Sequence, residues 1–192
     1  MAKKYEFKPD KPNAGLLSKL YLTQKQRKSL LKWTIYGLLL VFLSVLQDVL
    51  LCRISIFGAT TELVPCGIFL ICVLEGSENG SLFALLASMV YVFSGTGQGH
   101  YCIAMLTLAA VLATAFRQSY LRRGAGSDLI CVGGAMVLYE MAVFTAGVVQ
   151  GLTYRGRWGV FLMTAIISTL TAGAVYALLK YIGTIGGNAW KE

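Results

Sequence analysis

Two acidic side chains, Asp48 and Glu140, interrupt long apolar stretches of this sequence. A carboxylate near the centre of a membrane helix costs roughly 2.5 to 3.5 kcal/mol, so such a group marks a structural or functional site. Asp48 follows Gln47 close to the end of its stretch and precedes Arg53 by five residues, which predicts an interfacial position. Glu140 is the thirteenth residue counted from Asp128, which predicts a position near the bilayer midplane.

The helical spacing around Glu140 predicts which way its side chain points. Gly133, Glu140 and Gly147 are seven residues apart and therefore lie on one helix face. Small residues on that face allow another backbone to approach closely, so we expect Glu140 to face protein rather than lipid. Three roles are open: a protonated Glu that ties helices together by hydrogen bonds, a residue that docks a partner or changes conformation, and a proton relay. Asp48 and Gln47 are the other intramembrane polar candidates.

No pattern of catalytic or metal-binding residues accompanies these carboxylates. His100 is the only histidine, so it has no second nitrogen ligand with which to hold a metal ion. The five cysteines show no Cys-x-x-Cys spacing and lie in or beside apolar stretches, where cysteine behaves as a small hydrophobic residue. The glycine-rich segment at residues 95–99 lacks the lysine of a phosphate-binding loop. The sequence therefore predicts a protein that is not an enzyme and that uses no metal and no cofactor.

The composition indicates a membrane protein built of helices. Hydrophobic residues make up 56% of the chain and charged residues only 14%, too few for the wet surface of a soluble domain. A membrane helix needs roughly 20 apolar residues, because the hydrocarbon core is about 30 Å thick. We predict an all-α, polytopic bundle of about six transmembrane helices at residues 33–51, 63–74, 81–93, 101–116, 129–149 and 159–181. The two short stretches within residues 63–93 either span the membrane with the help of flanking Thr, Gly and Ser residues, lie inside the bundle, or form a re-entrant hairpin, and we favour two short spans.

The distribution of basic residues predicts the orientation. Cytoplasmic loops of membrane proteins carry an excess of Lys and Arg. With a cytoplasmic N-terminus, all but Arg53, Arg155 and Arg157 of the 17 Lys and Arg residues fall on the cytoplasmic side. We therefore expect a multi-pass protein of the cell membrane with both termini in the cytoplasm. Its predicted parts are a basic arm at residues 1–32, a transmembrane domain at residues 33–182 and a short tail at residues 183–192.

Small residues recur at intervals of four in two of the predicted helices. Such stripes let helices pack closely in lipid, where association depends on van der Waals fit. The third helix carries one stripe and the last helix a second, and glycines also mark the face of Glu140. The helix-packing candidates are Gly76, Gly80, Ala84, Ser88, Gly133, Gly147 and Gly173.

The first half of the chain resembles the bacterial rod shape-determining protein MreD family. The resemblance rests on the Leu46 and Gln47 pair that ends the first apolar stretch, and on Arg53 and Gly58 in the following link. It continues through the acidic, glycine-rich turn at residues 75–80 and the turn at residues 94–99, and it extends to about residue 115. The resemblance implies a fold similar to the substrate-binding subunit of energy-coupling factor transporters.

The same resemblance implies a function. We expect a non-catalytic membrane scaffold of the cell-elongation machinery, which helps to set cell shape by linking the MreB/MreC system to peptidoglycan synthesis. Its expected partners are membrane lipid, an MreC-like bitopic protein and other elongation proteins, with no nucleic acid and no tight small-molecule ligand. The alternative is the substrate-binding membrane subunit of a vitamin-type transporter. In that case Asp48, His100, Tyr101 and Trp158 would line an outward-opening pocket.

Overall fold

The structure is a computed structural model that describes residues 24–55, 58–95, 99–121 and 124–183. The predicted all-helical class is confirmed over this part of the chain, which folds into six α-helices joined by short loops and two 3₁₀ turns. The helices are α1 (Gln24–Val49), α2 (Leu63–Glu75), α3 (Ser77–Phe93), α4 (Tyr101–Tyr120), α5 (Ala125–Val149) and α6 (Trp158–Gly183). The 3₁₀ turns are Leu51–Arg53 and Arg155–Arg157.

Four of these helices are long and apolar enough to cross a membrane. They are α1, α4, α5 and α6, and each exposes many large apolar side chains, as expected for surfaces that face lipid. Leu38 of α1, for example, is 71% exposed and Leu170 of α6 is 74% exposed. The chain is therefore an integral membrane protein that crosses the bilayer several times. The helices α2 and α3 are shorter, with 13 and 17 residues.

Parts of four sequence predictions fall outside the described residues. The predicted arm at residues 1–32 is described only from Gln24 onward, where its residues already belong to α1. Of the predicted tail, residues 184–192 lie outside the described part. The same holds for residues 96–98 of the glycine-rich turn, and for Arg122 and Arg123 of the predicted cytoplasmic side.

The short helix α2 occupies the centre of the bundle. Every residue from Leu63 to Leu74 is buried, and α2 contacts each of the other five helices. Its sequence explains this position, because it is apolar on all sides and carries no charged face to present to water. The core of the protein is therefore one helix surrounded by five, and the surrounding helices bury the faces that touch it and the faces that touch one another.

A tight turn joins α2 to α3. Gly76 has a φ of 93°, a left-handed conformation that favours glycine, and it ends α2 so abruptly that α3 begins at the next residue. The two helices then cross closely at Gly80, where an added Cβ would lie 2.7 Å from the Cys72 carbonyl oxygen. Ala84 and Ser88 continue this buried face of α3 and are both fully buried. This stripe of small residues therefore lies on the face of α3 that is turned into the bundle.

The ends of the helices meet at two levels. We call the end of the bundle that contains Lys32, Glu75, Arg117 and Asp128 the base, because these residues join the start of α1, the ends of α2 and α4 and the start of α5. The opposite end, where Gln47 contacts the start of α2, is the top. All polar clusters of the next section lie at one of these two levels.

Candidate functional site

The length of α2 creates the polar interior of this protein. Its 13 residues rise about 20 Å, whereas the hydrocarbon core of a bilayer is about 30 Å thick. At least one end of α2 therefore lies inside the bundle at membrane depth. The free N–H and C=O groups at a helix end must find partners there, because lipid offers none.

At the top, side chains of α1 and α6 satisfy the free N–H groups of α2. The backbone N–H of Val64 donates to Oε1 of Gln47 at 2.9 Å, and the backbone N–H of Glu62 donates to Oγ of Ser168 at 2.8 Å. Gln47 and Ser168 are both buried. The sequence prediction named Gln47 as an intramembrane polar residue, and the structure gives it a local task, which is to cap α2.

Two carboxyl groups lie together beside this helix start. Glu140 is nine residues before the end of α5, so it lies about 14 Å below the top of that helix, and it is 2% exposed. Glu62, in the loop before α2, lies close enough for the two carboxyl groups to interact electrostatically. The structure thus buries Glu140 against protein, as the glycine-bearing helix face predicts.

Neither carboxyl group has a basic partner among the residues that the structure describes, where the ion pairs are Lys32 with Glu75 and Arg117 with Asp128, both at the base. Oε2 of Glu62 and Oε1 of Glu140 are buried, and no described residue donates a hydrogen bond to either atom. Burial raises the pKa of Glu62, which lies in a loop and outside the helices.

At the base, Arg117 joins four helices. Its Nε lies 2.7 Å from Oδ1 of Asp128 in the first turn of α5, and its Nη1 donates to the Val73 carbonyl oxygen near the end of α2 at 2.8 Å. Tyr176 of α6 donates to the other carboxylate oxygen of Asp128 at 3.0 Å. The guanidinium thus supplies a donor to a free carbonyl of α2, and the ion pair compensates its own buried charge.

A second ion pair at the base fastens α1 to α2. Nζ of Lys32 lies 2.6 Å from Oε2 of Glu75, and the hydroxyl of Tyr36 donates to Oε1 of the same carboxylate at 2.7 Å. Both charged side chains are about 7% exposed or less. Trp33 and Phe83 stack beside this pair with ring centroids 5.4 Å apart, which also links α1 to α3 at this level.

The charged groups around α2 lie at its two ends. Arg117 and Lys32 lie at its C-terminal end, where free carbonyl groups carry partial negative charge, and each is paired there with a carboxylate, whereas Glu62 precedes its N-terminal end. This arrangement holds α2 in register with its neighbours. The part of the chain that the structure describes contains no group of three His, Cys, Asp or Glu side chains placed to hold a metal ion.

A large apolar groove opens on the outer surface between α1 and α3. Its volume is about 900 Å³, and α2 contributes to its floor through Val64. Trp33 and Asn79 line it near the base, and Val45 and Ser94 line it near the top. The groove exists because α1 packs on α2 but touches α3 only sparsely. It is a surface that faces lipid and can receive another apolar molecule.

The remaining predicted site residues are spread over the bundle. Asp48 is exposed near the end of α1. A Cβ at Gly133 would lie 3.2 Å from Thr169 of α6, so the α5–α6 contact is close there, whereas a Cβ at Gly147 would meet the loop residue Thr153 at 2.9 Å. Gly173 has open space where a Cβ would be. The close helix contacts at predicted glycines are therefore those of Gly80 and Gly133.

Sequence reasoning missed five of the buried charged residues, which directly adjoin apolar stretches and were placed in links, in turns or on the cytoplasmic side. They are Lys32, Glu62, Glu75, Arg117 and Asp128. The structure buries their side chains, wholly or in part, because the neighbouring helices extend past them. The available signal was their position: a charge next to an apolar stretch shorter than the bilayer cannot always reach water.

The chain was compared with models of known protein families, with curated proteins and with solved structures, and none of them matches it.

Proposed function

We propose that this chain is a non-catalytic membrane scaffold of the bacterial cell-elongation machinery, in which α2 and α3 complete a six-helix transmembrane bundle. The resemblance of its first half to the MreD family supports the choice of machinery. The observation that carries the scaffold role is the groove between α1 and α3, because it is large, apolar and open to lipid. A protein that holds partners in a membrane needs such a surface, and an enzyme needs a constellation of reactive groups instead.

The interior of the bundle also supports a scaffold. Its polar side chains are used to fasten α2: Gln47 and Ser168 cap one end, and Arg117 donates to the other. Helices held at fixed positions present a constant surface to a partner, which lowers the entropy cost of binding. The need for fixed helix positions thus explains why this membrane protein tolerates the free-energy cost of burying ion pairs.

Depletion of the protein tests the proposed function. Rod-shaped cells that lose it should round and swell, and an MreC-like bitopic protein should co-purify with the tagged chain in detergent. The purified protein should show no hydrolase or transferase activity. Normal cell shape after full depletion, together with no co-purified elongation protein, would contradict the proposal.

The proposed orientation places the base in the cytoplasm, in agreement with the distribution of Lys and Arg. Cysteine labelling in intact cells tests it, after the exposed native Cys52 has been replaced with Ser. A cysteine at Gly156, in the exposed α5–α6 loop, should react with a membrane-impermeant maleimide. A cysteine at Gly126, exposed at the start of α5, should react only after the membrane is opened. The reverse pattern refutes the orientation and inverts every loop.

A second candidate function is the substrate-binding subunit of a vitamin-type transporter. One observation favours it. The start of α2 lies inside the bundle beside Glu62 and Glu140, and transporters often bind substrates at helix ends that lie within the membrane. The pocket residues expected from the sequence do not cluster in a buried pocket, because Asp48, His100 and Trp158 are exposed. Mass spectrometry of the purified protein decides between the two, since a metabolite bound in stoichiometric amount would establish the transporter.

A further inference from the structure

We propose that Glu62 and Glu140 together form a binding site for one proton, at the place where the loop before α2 meets α5. The site lies in the interior of the bundle and needs no partner protein, so it is separate from the proposed scaffold function. Three features of the structure favour a proton as the occupant. They are the burial of the two carboxyl groups, the neutral groups that surround them, and their position at the start of α2.

The first feature is the burial of the two carboxyl groups. Glu140 is 2% exposed, and no described residue donates a hydrogen bond to its Oε1 or to Oε2 of Glu62. The two groups are close enough to interact electrostatically. A carboxyl group that is buried without a partner takes up a proton rather than keeping its charge. Two carboxylates at one site also repel each other, so the pair is more stable when a proton neutralises one of them.

The second feature is the distribution of charge around the pair. The sequence has no Lys or Arg from Ile54 to Phe116, a range that includes Glu62 and all of α2 and α3. It has none from Gly124 to Tyr154, a range that includes Glu140 and all of α5. The ion pairs that the structure describes lie at the base, at the other end of α2. The segments that carry the two carboxyl groups therefore bring no cation to neutralise them.

The side chains that surround the pair are neutral groups from all six helices. The titratable side chains at this level, one each from α2, α3, α4 and α5, are Cys66, Tyr91, Cys102 and Tyr139. All four are buried. Gln47 of α1 and Ser168 of α6 add an amide and a hydroxyl at the start of α2. Thiols and phenols ordinarily lose their protons only at alkaline pH, so the carboxyl pair is the part of this cluster that exchanges a proton nearer neutral pH.

The third feature is the position of the pair at the start of α2. The N-terminal end of a helix is partly positive, which disfavours a metal cation and stabilises the single negative charge of a pair that holds one proton. The backbone N–H of Glu62 donates to Oγ of Ser168 at 2.8 Å, which ties the loop to α6. Ionisation of both carboxyl groups would push Glu62 away from Glu140 and strain this hydrogen bond. The bound proton thus helps to hold the start of α2 in place.

Infrared spectroscopy of the purified full chain in detergent detects the proton. A protonated carboxyl group has a C=O stretching band that is separate from the bands of a carboxylate and that shifts in heavy water. We expect this band at neutral pH in the wild-type protein. The band should be lost in the double variant Glu62→Gln with Glu140→Gln, which keeps the shape of both side chains. Glu78→Gln, at an exposed glutamate of α3, is the matched control and should retain the band.

Isotope labelling provides an assignment that needs no variant. Wild-type protein made with isotope-labelled glutamate should show the same band at a shifted frequency, because the protonated groups are glutamates. This measurement decides the question even if the double variant does not fold. A band that does not shift would place the proton on an aspartate and overturn the assignment.

The pH dependence of stability gives an independent measurement. A free Glu has a pKa of roughly 4.3 and is ionised in the unfolded chain above that pH, whereas the folded pair keeps one proton. The folded state then binds more protons than the unfolded state, so its stability is full at low pH and falls as the pH rises toward the release of that proton. Between about pH 5 and pH 8, the unfolding equilibrium constant should rise by up to about tenfold per pH unit. The double variant should lose this dependence, and Glu78→Gln should keep it.

Three results would overturn the proton site. The first is a wild-type protein without the protonated-carboxyl band at neutral pH. The second is a band of equal intensity in the double variant, which would place the proton elsewhere. The third is a melting temperature that rises with Na⁺ at constant ionic strength in the wild type but not in the double variant, which would assign the site to a metal cation. None of these results affects co-purification with an elongation protein, so the scaffold function is tested separately.

Discussion

Replacing Arg117 with Met tests whether the ion pair at the base fastens the bundle. Met has a similar length but no charge and no hydrogen-bond donor. The change leaves the carboxylate of Asp128 buried without its cation, and it leaves the Val73 carbonyl oxygen without the donor that now lies 2.8 Å away. Both side chains of the pair are nearly inaccessible, with exposures of 6% and 2%, so water cannot replace the lost partner.

The structure gives the expected size of the effect. Removing one member of a buried ion pair typically costs about 3 to 5 kcal/mol, because the other charge stays buried and unpaired. For a chain of this length, that corresponds to a fall of about 6 to 20 °C in melting temperature. The double variant Arg117→Met with Asp128→Asn carries no charge at the site, and its Asn can still accept a hydrogen bond from Tyr176. It should therefore be more stable than Arg117→Met alone, with a coupling free energy of about 1 to 3 kcal/mol.

Thiol labelling measures this unfolding directly in detergent. Four of the five cysteines are buried, so a thiol-reactive fluorophore labels them only when the bundle opens. The native Cys52, which is exposed, is replaced with Ser in every variant to remove the background. Arg157→Met, in an exposed loop, is the matched control and should change stability by less than about 0.5 kcal/mol. The reasoning is refuted if Arg117→Met has the same melting temperature as the control Arg157→Met. It is also refuted if the double variant loses as much unfolding free energy as Arg117→Met and Asp128→Asn lose together when each is measured alone.

Three further predictions concern the packing and the other polar groups. Gly80→Ala should lower the melting temperature by several degrees, because its Cβ would lie 2.7 Å from a carbonyl oxygen of α2 and overpacking costs about 1 to 3 kcal/mol. Gly134→Ala, at an open site, should leave the melting temperature unchanged, and equal melting temperatures of the two variants would contradict the close crossing of α2 and α3. Glu140→Gln should retain folding and partner co-purification far better than Glu140→Ala, because Gln keeps the shape and the hydrogen-bonding capacity; equal loss in a pull-down would implicate the ionisable carboxyl itself. Tyr36→Phe removes the hydroxyl that donates to Glu75 and should cost about 1 to 3 kcal/mol by thiol labelling, and a change below about 0.5 kcal/mol would show that this bond contributes little.

Several properties of this protein follow from local sequence alone. The helical class and the membrane setting follow from long, mostly apolar stretches, because their length and composition act within one segment and need no neighbour. The apolar stretches at residues 129–149 and 159–181 each lie within one long helix of the structure, and the stretch at residues 33–51 lies within α1 up to Val49. The burial of Glu140 could also be predicted, since helical periodicity places it on the same face as Gly133 and Gly147.

The polar clusters depended on the tertiary structure. Glu62 and Glu140 are 78 positions apart in the chain, and Arg117 contacts α2, which lies more than forty residues earlier. Periodicity shows which face of a helix is covered, but it does not identify the element that covers it or the level at which the two meet. Whether a charge beside an apolar stretch reaches water depends on how far the neighbouring helices extend, and that length difference exists only in the assembled bundle.

The groove between α1 and α3 was likewise decided by the fold. The sequence of α1 is mostly apolar from Trp33 to Leu46, and nothing in that pattern separates residues that meet α2 from residues that face lipid. The two kinds of residue are distinguished by the packing: α2 is short and central, and α1 packs on α2 and leaves a gap beside α3. Local sequence thus determined that this chain forms apolar helices in a membrane. Only the packing of these helices determined which apolar surface stays uncovered, because contact between helices depends on their shape and their relative height as well as on apolar character.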